Sequence, residues 1–239
     1  MDIALFTCLS DNYAVLIRDP VTGTVALVDA PAADPVVAEL DNRGWPLDLI
    51  LVTHRHDDHI AGIPALVARY GAKVVAPKLA KDALPNANRY VSDGDSVDVG
   101  SMRAAVWDTP GHCEDHISYY FADEDVIFVG DTMFTMGCGR IFGLPPEDLH
   151  RSLQRIAALP DVTRVFSGHE YTLSNARFCA HVEPNNTAIS MRLKAVEAMR
   201  AAGQATVPTT VGAERMTNVM VRVADAAEFA ARREAKNRF

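Results

Sequence analysis

The sequence predicts a mixed α/β fold that ends in a small helical part. Three observations carry this expectation: short Val-, Ile- and Leu-rich runs recur along the first two thirds of the chain, stretches with helical spacing lie between them, and strand signals stop after about Tyr171. Short runs of β-branched and aliphatic residues bounded by turn formers read as strands, and apolar residues recurring at the helical period read as helices.

In chain order the expected strands are 13–18, 24–29, 48–52, 73–76, 103–107, 117–121, 125–129 and 163–167. The expected helices are 34–43, 59–70 and 146–159. The last opens Pro-Pro-Glu-Asp, where the fixed φ of proline and the acidic side chains suit a helix N-terminus. Beyond Tyr171, MRLKAVEAMRAAG and ADAAEFAARREAKNRF read as helices joined by a polar connection. The expected division is therefore 1–170 for an α/β domain and 171–239 for a helical one.

Composition narrows the class. With 239 residues, 49% hydrophobic and 23% charged, the chain can bury a substantial core without disulfides. Its net charge of −8 offers no electrostatic footprint for nucleic acid, although screening still permits a local basic pocket. The four cysteines, Cys8, Cys113, Cys138 and Cys179, form no Cys-x-x-Cys pair, so neither a thiolate zinc site nor a redox dithiol is indicated. No segment reaches the roughly 20 apolar residues that cross a bilayer, and the opening MDIALFTCLSDNYAVLIRD lacks a basic leader region. The expectation is a cytoplasmic protein with reduced thiols and no membrane or nucleic-acid partner.

The sharpest motif is Thr53-His54-Arg55-His56-Asp57-Asp58-His59, directly after the apolar run Leu49-Ile50-Leu51-Val52. Delivering three imidazoles and two carboxylates at the end of a buried strand makes no sense as packing, because buried charges need partners. Imidazole nitrogen and carboxylate oxygen are donors that Zn²⁺, Fe²⁺ or Mn²⁺ accept. Three singletons share that context: His112 after Thr109-Pro110-Gly111, Asp131 after Val129-Gly130 and His169 after Ser167-Gly168. Each alone reads as a turn or helix cap, yet ligands of α/β folds gather where strand carboxyl ends open into loops.

The order His-x-His-x-Asp-His, Gly-His, Gly-Asp, Gly-His resembles the metallo-β-lactamase superfamily. That resemblance implies a four-layer αββα sandwich and two divalent metal ions, with zinc first and iron or manganese as alternatives. It places His54, His56 and His112 on one metal, Asp58, His59 and His169 on the other, and Asp131 between them. Asp29 would orient a ligand from behind. Further segments are similar to the glyoxalase II (hydroxyacylglutathione hydrolase) family: Gly137-Cys138-Gly139-Arg140, Gly168-His169-Glu170-Tyr171-Thr172, His181-Val182-Glu183-Pro184-Asn185-Asn186 and the terminal Arg233-x-x-Lys236. The family implies hydrolysis of S-D-lactoylglutathione to glutathione and D-lactate, the second step of methylglyoxal detoxification, by a monomer using a hydroxide held between the metals. Asp131, Asp58 and His59 would then be catalytic. Arg140, Arg233 and Lys236 would grip the carboxylate end of glutathione, the last two from an exposed helix at the chain end, and Tyr171 its backbone.

Ala61, Phe142 and Val219 depart from that family pattern, and Phe142 removes a tyrosine hydroxyl from the substrate site. Rival readings are a mononuclear-iron persulfide dioxygenase using His54, His112 and Asp131, a lactonase, β-lactamase or other thioesterase of the superfamily, and a non-catalytic metal-binding module.

Overall fold

A computed structural model describes residues 1–239. Packing divides the chain into two compact units, Met1–Asp108 with Asp115–Gly130, and Thr109–Glu114 with Asp131–Phe239. This is a division by packing. The boundary near residue 170 marks where strand patterning gives way to helix patterning, which is a different criterion.

The first unit opens with strands β1 (Asp2–Cys8), β2 (Asn12–Arg18) and β3 (Val25–Val28), helix α1 (Ala33–Arg43) and strand β4 (Leu49–Leu51). Helices α2 (Asp57–Ile60) and α3 (Ile63–Tyr70) and strands β5 (Lys73–Pro77) and β6 (Arg89–Val91) follow. The six strands form one sheet in sequence order, antiparallel across β1, β2 and β3 and parallel from β3 to β6. Parallel central strands are covered on both faces and read as unbroken apolar runs, as Val-Ala-Leu-Val of β3 does. Leu16, Leu27, Ile50 and Val52 pack with Leu40 of α1 and Leu66 of α3 in one buried cluster. Strands β7 (Ser96–Val99), β8 (Met102–Asp108), β9 (Ile117–Phe121) and β10 (Val126–Gly130) follow as an antiparallel meander.

The helix expected over 59–70 is interrupted. Gly62 donates its N–H to Ala30 O at 2.8 Å, and a Cβ at Gly62 would lie 2.8 Å from the Ala32 carbonyl carbon. Close backbone approach ends α2 there, and Pro64 restarts the chain as α3. The short α2 carries Asp58 and His59, and Ala30 N bonds His59 O at 2.8 Å, so the break pins the motif to the end of β3.

The second unit contains strands β11 (Met133–Phe134) and β12 (Gly137–Cys138), helix α4 (Pro146–Ala157), strand β13 (Arg164–Ser167), helices α5 (Thr172–Val182) and α6 (Thr187–Ala201), strand β14 (Thr209–Thr210), and helices α7 (Val211–Thr217) and α8 (Ala226–Arg238). The expectation of no strand after Tyr171 fails at β14, which pairs with β13 over only two residues, too short for a periodic signal. In α4, Leu149, Ser152, Leu153, Ile156 and Ala157 are buried on one face. Asn186 caps α6, and Asp225 caps α8 by accepting Glu228 N at 2.9 Å. Glu228 returns a carboxylate to Ala224 N at 2.7 Å. Helices α6 and α7 meet through a partly buried ion pair, Arg192 to the buried Glu214 at 2.7 Å. No helix is long and apolar enough to cross a membrane.

Candidate metal centre

In the first unit, His54, His56, Asp58 and His59 come together on the loop leaving β4 and on α2. His54 Nε2 and His56 Nδ1 lie 3.0 Å apart, and His59 Nε2 lies 3.8 Å from Asp58 Oδ2. Donors sharing one ion through bonds near 2.1 Å are separated by roughly 3.0–3.4 Å, a spacing that the His54–His56 pair meets and the His59–Asp58 pair exceeds by a few tenths of an ångström. The remaining ring nitrogens are tied from behind. His59 Nδ1 meets Asp29 Oδ2 at 2.9 Å, and His54 Nδ1 meets the Thr53 hydroxyl at 3.0 Å. Asp29 also accepts Thr53 N and Thr53 Oγ1, both at 2.8 Å, so one buried carboxylate aligns the strand end and a ring together. Asp57 stays exposed.

In the second unit, His112, Asp131 and His169 come together although 19 and 38 residues separate them along the chain (131 − 112 and 169 − 131). Asp131 Oδ2 lies 3.6 Å from His112 Nε2 and 3.5 Å from His169 Nε2, a carboxylate oxygen placed between two imidazoles. His112 Nδ1 is held by the Arg140 carbonyl at 2.9 Å, which leaves Nε2 as the donor. The turn before it is fixed by Ser152 of α4, whose hydroxyl donates to Pro110 O at 2.7 Å. Tyr171 stacks on the His169 ring at 4.7 Å and 8°. Phe142 is 55% exposed and sets its ring edge-on to His112 at 5.2 Å, so this position presents an apolar wall beside that imidazole.

The other substrate candidates also lie in the second unit. Arg140 is exposed. Arg233 of α8 is buried, at 7% exposure, in place of the exposed tail residue expected. Lys236 is half-buried and donates to Ser174 O at 3.0 Å and Ser174 Oγ at 2.8 Å. Burial, with the neighbouring Arg233 guanidinium, pushes the Lys236 ammonium down to about 8. All four cysteines are buried and none forms a disulfide, and burial raises the thiols of Cys8 and Cys179 to about 11 and about 12. Those two remain protonated and unsuited to nucleophilic attack.

A family model described as Metallo-beta-lactamase superfamily matches residues 10–169, and one described as Hydroxyacylglutathione hydrolase C-terminus matches residues 170–239. A hydroxyacylglutathione hydrolase of Methylobacterium sp. (strain 4-46) is 48% identical over 253 aligned residues, covering 100% of this chain and 99% of that protein. The chain belongs to the hydroxyacylglutathione hydrolase family of the metallo-beta-lactamase superfamily. A second family member, from Methylobacterium nodulans (strain LMG 21967 / CNCM I-2342 / ORS 2060), is 47% identical with the same coverage. Among solved structures, ETHE1 from Myxococcus xanthus aligns with a TM-score of 0.75 at 28% identity, over 99% of this chain and 92% of that one. The α/β fold with a C-terminal helical domain is thus the metallo-β-lactamase fold that the sequence pattern implied.

For a hydroxyacylglutathione hydrolase family member the donor chemistry is coherent. Each set presents nitrogen and oxygen donors without thiolates, and several rings already have their other nitrogen engaged, as borderline divalent ions require. Several contributors escaped the sequence reading. Asn12 donates Nδ2 to Asp58 O and Asp58 Oδ2, both at 3.0 Å. Asp115 accepts Arg55 N at 2.8 Å, and His116 stacks on His54 at 4.8 Å. The Asp115-His116 pair repeats the motif chemistry and was detectable by that signal. Asn12, a lone amide at the start of β2, carried none.

Proposed function

We propose that the chain hydrolyses the thioester of S-(2-hydroxyacyl)glutathione, S-D-lactoylglutathione foremost, releasing glutathione and the 2-hydroxy acid. The observation that carries this reading is the full-length match to hydroxyacylglutathione hydrolases, including the helical segment 170–239, together with an intact set of seven donors. In this reading His54, His56 and His112 would hold one ion, Asp58, His59 and His169 would hold the other, and Asp131 would serve both. Residues 1–170 carry the chemistry and 171–239 the substrate contacts. When bound, a pair of divalent ions, zinc in the first instance, lowers the pKa of a water toward neutrality and polarises the thioester carbonyl. The protein's part is to orient. Asp29 and the Arg140 carbonyl present His59 and His112 with Nε2 forward, and no side-chain nucleophile is needed. The leaving thiolate has a parent pKa near 8.5 and departs without a dedicated acid.

The cations of α8 support an anionic substrate. Arg233 and Lys236 lie side by side, and their hydrogen bonds go to carbonyl, hydroxyl and amide oxygens with no carboxylate among them. A substrate carboxylate would offset the burial and the Arg233 repulsion that together depress Lys236. The protein would act as a cytoplasmic monomer. The test joins metal analysis to a lactoylglutathione assay. Two ions per chain and chelator-sensitive turnover are expected, whereas one ion after reconstitution favours the mononuclear dioxygenase, and turnover of lactones alone favours the lactonase.

A further inference from the structure

Arg233 is the least expected residue of the second unit. An ionised guanidinium at 7% exposure needs compensation, and it draws this from backbone rather than from an acid. Its Nη1 donates to Cys138 O at 3.2 Å and, more loosely, to Gly139 O at 3.5 Å, and its Nη2 donates to Asn237 Oδ1 at 3.0 Å. Those carbonyls belong to the strip that backs two candidate ligands. The next carbonyl, that of Arg140, accepts His112 Nδ1 at 2.9 Å. Gly139 fits so closely that a Cβ there would sit 2.0 Å from Asp131 O and 3.1 Å from His112 Nδ1. Its own N–H bonds Thr132 O at 3.2 Å, just after Asp131.

We infer that Arg233 is a positioning residue of the metal centre: from α8 it clamps the Cys138–Arg140 strip and, through the Arg140 carbonyl, sets the orientation and tautomer of His112. A ring nitrogen held by a carbonyl keeps its proton there and offers the opposite nitrogen to metal, so a loosened strip weakens the ligand rather than only the substrate site. The inference rests on the ligand reading of His112. It adds to the substrate contact proposed for Arg233 and Lys236 a task that falls to Arg233, the one of the two bonded to the strip.

The experiment compares wild type with Arg233→Met, which keeps an apolar stem without donors, and Arg233→Lys, which restores a charge and a single donor head. Three quantities are read: metal retention in competition with a chelator, kcat on a small thioester lacking the glutathione peptide, and the ¹⁵N imidazole resonances of metal-free protein. Arg233→Met is expected to weaken retention of the His112-held ion by about 10- to 100-fold and to lower small-thioester kcat by a similar factor. The His112 Nδ1–H signal should broaden or shift, with Arg233→Lys recovering part of each loss. Unchanged metal retention and unchanged small-thioester kcat, with a raised KM for lactoylglutathione alone, would overturn the inference and leave Arg233 a substrate contact. If Arg233→Met does not fold, Arg233→Lys decides: wild-type retention and wild-type His112 resonances there also overturn it. Should wild type fail to hydrolyse lactoylglutathione, the thioesterase reading falls while chelator competition and the His112 signal still test the clamp.

Discussion

The two sets of candidate ligands are built in opposite ways. His54, His56, Asp58 and His59 lie within six residues and are braced by strand ends and the loops that join them. Asp29 follows β3, Asn12 opens β2, and Asp115 precedes β9. His112, Asp131 and His169 come from three distant loops, and the segment connecting them is braced by helices. Asn175 and Cys179 of α5 donate to Thr135 O at 3.3 Å and Met136 O at 3.1 Å. Glu214 of α7 accepts Met136 N at 2.8 Å, and Asn218 donates to Gly137 O at 2.9 Å. Met136 itself sits at φ 59°, a left-handed conformation that a bulky side chain adopts only under such restraint. The difference shows what the C-terminal helices contribute: they hold the loop that joins the candidate ligands of the second unit.

Breaking the carboxylate between His112 and His169 should have the largest effect. Asp131→Ala is expected to lower kcat by roughly 10³-fold or more with KM within a few-fold, because the lost group acts on the reaction centre rather than on the substrate tail. Steady-state kinetics on lactoylglutathione measure this, and a wild-type kcat would mean the ligand assignment is wrong.

The contrast between strand-braced and helix-braced ligands is sharpened by two variants compared side by side. Asp29→Asn turns an amide donor toward His59 Nδ1, forcing the other tautomer. Metal affinity should fall by about 10- to 100-fold while the fold survives. Glu214→Ala strips the partner from Arg192 and the acceptor from Met136 N and Asn218. Breaking a fully buried pair costs about 3–5 kcal/mol and this partly buried one the lower end of that range, so denaturant unfolding and metal content should fall together. Equal unfolding midpoints for the two variants would erase the distinction.

The smallest effect is expected on α8. Lys236→Ala should raise KM for lactoylglutathione by about ten-fold and leave kcat within a few-fold, since a contact equally strong in ground and transition states is worth about 1.4 kcal/mol per decade of binding. The sign with pH follows from an ammonium held down to about 8. It is charged below that pH and neutral above, so wild-type KM should climb as pH rises through about 8, and the variant should lack that limb. A KM–pH profile of both proteins checks this.

Much of this was legible in the chain itself. The apolar strands that carry the first ligands, such as Leu49-Ile50-Leu51 of β4, announce themselves because a parallel strand buried on both faces must be apolar throughout. The histidine motif after it is readable because a ligand loop compresses its donors into local spacing. Amphipathic α4 and the capped α8 follow from periodicity and end chemistry in the same way.

What the sequence by itself determined, then, is whatever depends on local spacing: the strand and helix alternation and the run of imidazole and carboxylate donors after β4. Tertiary structure alone decided the break at Gly62, where a neighbouring backbone passes too close for a Cβ, and the brief pairing of Thr209–Thr210. It also decided that Arg233 lies buried against Cys138 O, 95 residues away, although its charge and place near the end of an Ala-rich helix read as an exposed tail. The physical reason is the same in each case. A hydrogen bond to a distant carbonyl or a close approach of two backbones leaves no periodic trace in either segment, because the partner's backbone is the same for nearly every residue type.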